Sequence, residues 1–73
     1  MTQQTEFEIA DMIFDAIEEG NALNIETKHH TYEDCAVLST HETYFSITYY
    51  DVVKGGEREF DIAWDDVVKL DYF

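Results

Sequence analysis

Ile9, Ile13 and Ile17 recur at the spacing of one helix face, and after Gly20 the apolar period shortens toward two. This change of period predicts a helix over 5–20 followed by strands over 22–73. Thr5-Glu6-Phe7-Glu8 matches a capping box, with Thr5 as N-cap and Glu8 reaching back to its backbone N–H. Gly20 follows the last periodic residue and suits a left-handed C-terminal position, so the helix is expected to stop there. Met1–Gln4 reads as a frayed end.

Ala22–Lys28 alternates, with Leu23 and Ile25 inward, and predicts a first strand. His29-His30-Thr31 reads as a turn. Cys35–Thr40 predicts a second strand whose inward set is either Cys35/Val37 or Ala36/Leu38. Tyr44–Val53 is rich in Tyr, Phe, Ile, Thr and Val, with Phe45, Ile47 and Tyr49 on one face and Tyr44, Ser46, Thr48 and Tyr50 on the other. Gly55-Gly56 predicts a hairpin turn. In Glu57–Ala63, Phe60 and Ile62 point one way and Glu57, Glu59 and Asp61 the other. Asp65-Asp66 makes a short turn before a last strand over Val67–Phe73. The expected architecture is a single α+β domain over residues 1–73. One N-terminal helix packs on a strongly bent antiparallel sheet or small barrel of about five strands.

The carrying positions Glu18-Glu19-Gly20, Ile25, Ile47-Thr48-Tyr49-Tyr50 and Ile62…Asp66-Val67-Val68 give this chain an element order that resembles small barrels of Sm-like and SH3-like shape. More narrowly, it resembles the YolD-like family of short bacterial and phage proteins. The resemblance implies a helix covering one open end of a barrel and an accessory role toward a polymerase or similar partner. It carries over no functional residue. Where such barrels usually bend the second strand with glycine, this chain has Asp34-Cys35-Ala36.

Charge adds the functional dimension. The 73 residues carry 17 Asp and Glu against 4 Lys and Arg, a formal charge of −13, yet 45% of the chain is hydrophobic. That is too apolar for a disordered acidic tail. On the predicted helix, Glu8, Asp11, Asp15, Glu18 and Glu19 fall within an arc of about 100° that holds no base. Like charges at i,i+4 each destabilise a helix by about 0.2–0.5 kcal/mol, and Glu18 and Glu19 oppose the helix dipole. Glu57, Glu59 and Asp61 form a second row on a strand, and Asp65, Asp66 and Asp71 extend it. Carboxylates at i and i+2 of a strand stand about 6.6–6.8 Å apart, a spacing similar to that of successive phosphates along a nucleic acid strand.

This charge repels nucleic acid and anionic lipid and attracts basic proteins. Direct nucleic-acid or membrane binding is therefore not expected. The N-terminus lacks a secretory signal's basic and apolar segments, and the lone cysteine fits a reducing cytoplasm. No cofactor or metal is expected: His29-His30, Cys35 and His41 lack zinc-site spacing, and Asp61, Asp65 and Asp66 lack an EF-hand loop. Cys35 beside Ala36 and Val37 reads as a core residue rather than a nucleophile. With no phosphate-binding loop or Ser/His/Asp ordering, the chain is read as non-catalytic.

Three functional readings follow. The first is an inhibitor that mimics nucleic acid and occupies the basic groove of a nucleic-acid-handling protein; it resembles phage and plasmid anti-defence inhibitors in charge, though in no motif. The second is an accessory module acting through Tyr44, Tyr50 and Trp64, residue types enriched at binding hot spots. The third is a structural homodimer joined along a strand edge. The bland counterpart to the first is acid that only solvates the surface.

Overall fold

The computed structural model describes residues Glu6–Phe73. Thr5, the expected N-cap, and Met1–Gln4 lie outside the described residues. The chain forms one helix, α1 (Glu6–Glu19), followed by β1 (Leu23–Thr27), β2 (Thr31–Thr40), β3 (Tyr44–Asp51), β4 (Gly56–Ala63) and β5 (Val67–Tyr72). All five strands belong to one antiparallel sheet of order β4-β3-β2-β1-β5. The sheet is bent but not closed, so the open sheet is correct and the barrel is not. The Asp65-Asp66 turn proves to be a 3₁₀ turn over Trp64–Asp66.

α1 ends as its sequence dictates. Gly20 takes φ +73°, and the Asn21 N–H donates to the Ala16 carbonyl at 3.0 Å, the six-to-one bond of a Schellman motif. Ile9, Ile13 and Ala16 enter the core, with Met12 beside them. Ile17, expected inward, is 39% exposed. On a helix it stands about 100° from Ala16, beyond the stripe that touches the sheet.

The core unites this helix face with Leu23 and Ile25 of β1, Tyr32 and Cys35 of β2, Phe45 and Ile47 of β3, Ile62 of β4, and Val67 and Leu70 of β5. No charged residue is buried among the described residues. Phe60, expected inward, remains 48% exposed because β4 is an edge strand; its ring lies 5.5 Å from that of Tyr32.

The second strand departs most from expectation. It starts at Thr31 rather than Cys35, and simple alternation fails within it. Tyr32 and Cys35, three residues apart, are both buried. The β1–β2 register runs from Leu23↔Cys35 to Ile25↔Tyr32, so β2 spends one more residue than β1 over the same stretch. This is a β-bulge, and its left-handed residue is Asp34 at φ +54°. The Asp34 N–H donates to Asn24 Oδ1 at 3.1 Å. Asp34 thus supplies the bend of β2, where no glycine stands. Aspartate tolerates this conformation better than most residues because its short polar side chain bonds locally. Beyond the bulge, Cys35 and Val37 face inward and Ala36 and Leu38 are exposed, resolving the two inward sets.

Burial and the neighbouring Asp34 charge push the Cys35 thiol from its ordinary 9.0 up to about 12. Tyr32 is also raised, first by burial and then by Tyr49, Cys35 and Asp66.

Two measurements check this account. Asp34→Gly is expected to fold with equal or greater stability, whereas Asp34→Val loses about 1–2 kcal/mol in denaturant melts, because a β-branched residue cannot hold the left-handed turn cheaply. Above pH 9 the unfolded chain gives up the Cys35 proton while the folded chain keeps it until about pH 12. Fewer protons on the unfolded state mean that stability falls as pH rises through this window, by about 1.4 kcal/mol per pH unit. The alkaline decline in chemical denaturation is therefore expected to be shallower in Cys35→Ala than in the parent chain.

Candidate functional site

The α1 carboxylates Glu8, Asp11, Asp15, Glu18 and Glu19 are all exposed on the side away from Ile9, Ile13 and Ala16. The last turn of α1 holds no base. Glu19 accepts a hydrogen bond from Asn21 Nδ2 at 3.0 Å. Glu57, Glu59 and Asp61 are exposed on the β4 face opposite Ile62. Arg58, between the first two, takes the other face of the strand and does not interrupt the row.

Across the β3–β4 ladder, the residues in register with this row all carry hydroxyls. Glu57 pairs with Tyr50, Glu59 with Thr48 and Asp61 with Ser46. The Ser46 hydroxyl donates to Asp61 Oδ1 at 2.7 Å. The helix row and the strand row each project away from the core, from α1 and from β4. They are two surfaces and not one track. The helix packs on β2 and β5.

Asp65 is exposed and Asp66 half-buried. Asp65 lies by a shallow hollow of about 310 Å³ with Ile9, Ala10, Glu42 and Trp64, which places it nearer α1 than the strand row suggests. The Asp66 carbonyl accepts the Lys28 N–H at 3.0 Å, tying the 3₁₀ turn to the end of β1.

The three aromatic candidates do not form one surface. Tyr44 and Tyr50 share a face of β3, but six residues of strand separate them by about 20 Å. Tyr44 stacks on His41, with ring centroids 4.4 Å apart. Trp64 packs against Phe45 at 4.8 Å, and its indole N–H donates to the His41 carbonyl at 2.9 Å. Its role in the structure is to close one end of the core. Tyr50, by contrast, is 62% exposed.

Around Tyr50 lies a feature that the sequence reading did not anticipate. The β2–β3 ladder stops at Ala36↔Thr48. Beyond it, β2 turns at Asp34 to pair with β1, while β3 continues along β4. The diverging strands leave a cleft of about 580 Å³ between Thr31–Asp34 and Tyr49–Val52. Tyr32 and Tyr49 meet edge to face across its inner side, with centroids 5.3 Å apart. Glu33, Asp34 and Asp51 bring acid to it, and His30 and Phe73 complete its lining. The sequence signal for the cleft was the odd spacing of Tyr32 and Cys35 around an aspartate.

His29 is exposed, Cys35 fully buried, and His41 Nε2 lies 3.0 Å from Ser39 Oγ. Among the described residues no three His, Cys, Asp or Glu side chains converge as metal ligands. No helix among these residues is long and apolar enough to cross a membrane. No protein-family model matches the chain, and neither a curated protein nor a solved structure does.

Proposed function

We propose that the chain is a non-catalytic acidic module that binds a basic protein surface and competes there with nucleic acid. The observation carrying this reading is that each carboxylate row, on α1 or on β4, is exposed and faces away from the core, so that either one alone can enter a basic groove. Their spacings, about 5–6 Å along a helix face and 6.6–6.8 Å along a strand, suit a groove built for a polyanion.

Electrostatic competition of this type has a clear signature. Proteins captured from lysate on the immobilised chain are expected to be nucleic-acid-binding, to elute early in a salt gradient, and to be released by added duplex DNA. Capture that neither salt nor DNA reverses overturns the reading. Replacing Glu57, Glu59 and Asp61 together by their amides is expected to weaken capture about tenfold.

The helix row also sets stability against binding. In Asp15→Lys, repulsions from Asp11 and Glu19 at i±4 become attractions. Its thermal midpoint is expected to rise by a few degrees while capture of the basic partner weakens. A lower midpoint would show that the acidic row is not a cost to folding.

A second reading places recognition on aromatic surface, as in an accessory module of YolD-like type, and the exposure of Tyr50 beside the cleft favours it.

A further inference from the structure

We infer that the cleft between β2 and β3 is a groove for an extended cationic segment of a protein partner, which adds as a strand between the two diverging edges. The inference rests on the reading of a basic partner and names the part of it that is held. Its first support is geometric. Past Ala36↔Thr48, β2 has a ladder only with β1 and β3 only with β4, so edge faces edge across the gap. Peptides commonly join sheets at such edges, where main-chain bonds give affinity and side-chain contacts give specificity. The volume of about 580 Å³ lies within the range of ligand clefts.

The second support is the lining. Tyr49 and Tyr50 offer aromatic faces, and Val52, 82% exposed, adds apolar surface at the hairpin tip. Glu33, Asp34 and Asp51 add carboxylates, and among the described residues His30 is joined by neither Lys nor Arg in the lining. Aromatic faces with nearby carboxylates favour arginine or lysine, whose alkyl stems pack on rings while the charge meets acid. Asp51 is held in place, its Oδ1 accepting the Val53 and Lys54 N–H groups at 3.0 and 3.1 Å.

The third support is exclusion by charge. A second copy of this chain brings a net −13 to the same cleft. Its β4 edge would set Glu57, Glu59 and Asp61 against Glu33, Asp34 and Asp51. Nucleic acid meets the same repulsion.

The test titrates a short synthetic peptide of alternating arginine and valine into the ¹⁵N-labelled full chain. Amide shifts are expected to concentrate at Thr31–Asp34 and Tyr49–Val52. Tyr50→Ala and Glu33→Lys should each weaken binding about tenfold, and Tyr50→Phe, which keeps the ring, should retain it. Asp11→Asn with Asp15→Asn should change affinity by less than about twofold. A peptide with glutamine in place of arginine should not bind. Retained amide dispersion in Tyr50→Ala and Glu33→Lys separates lost contact from lost fold.

Shifts centred on α1 or β4, with loss on neutralising Asp11 and Asp15, overturn the groove and leave a diffuse acidic surface. Absence of peptide binding overturns it as well. Concentration-dependent shifts at the cleft without peptide give the site to a second copy and also overturn it. DNA-reversible capture of basic proteins by a chain whose cleft ignores the peptide would leave the acidic reading standing alone.

Discussion

With φ at +54°, Asp34 gives β2 an extra residue between Tyr32 and Cys35, and both side chains reach the same core. The rest of the architecture depends on that constraint. Without the bulge, three residues of strand would send one of the two to solvent, because the side-chain period of a strand is two. With it, β2 bends and serves two ladders in succession, pairing with β1 over its first half and with β3 over its second. A second irregularity between Val37 and Ser39 continues the bend. The sheet therefore curves around Phe45 and Ile47 tightly enough for one helix to cover it. It also parts where β2 and β3 separate, so the curvature and the cleft have one cause.

The acid is arranged so that the fold scarcely needs it. The buried set contains no charged residue, and the candidate carboxylates lie on surfaces facing away from the core. The one Lys–carboxylate pair described, Lys69 with Asp71 at 3.5 Å, is exposed and adds little to stability. Folding rests on the apolar core, while net charge works against compaction through self-repulsion. Such a division lets the surface be shaped by partners or by solubility without re-engineering the interior. Edge protection is a further physical role for Glu57, Glu59 and Asp61, since charge on an edge strand discourages pairing with other chains.

Much of this was legible in the residues. The shift of apolar period at Gly20 marks the end of α1, and the alternation in Tyr44–Asp51 and in Glu57–Ala63 assigns Phe45, Ile47 and Ile62 inward. These elements obey local rules. The start of β2 does not, because its direction is set by pairing with β1, a partner earlier in the chain, and by a left-handed aspartate that looks like an ordinary turn residue. Ile17 was misplaced for a similar reason: helix periodicity defines a face, but the sheet determines how wide a stripe it covers. The acidic rows were visible as spacing; that they leave the molecule on separate elements depended on topology. The cleft is not legible in local pattern because its walls come from segments about twenty positions apart and its existence is the absence of a ladder.

Backbone edges unite these observations. An open sheet has an outer edge at β4 and another at β5, and this one has a third opening where β2 and β3 part. Unpaired edges invite any extended chain to add. Here the β4 edge strand bears Glu57, Glu59 and Asp61, β5 bears Asp71 beside Lys69, and the internal gap is rimmed by Glu33, Asp34 and Asp51. Carboxylates that repel another copy of the chain do not repel a cationic segment. The internal gap combines aromatic faces with that selection, with Tyr32 and Tyr49 across its inner side and Tyr50 exposed beside it. An acidic surface alone discriminates by sign. On the proposed reading, an acidic gap with an aromatic floor would also discriminate by shape, because a segment would have to be extended to enter and carry its charge at the spacing the rims present.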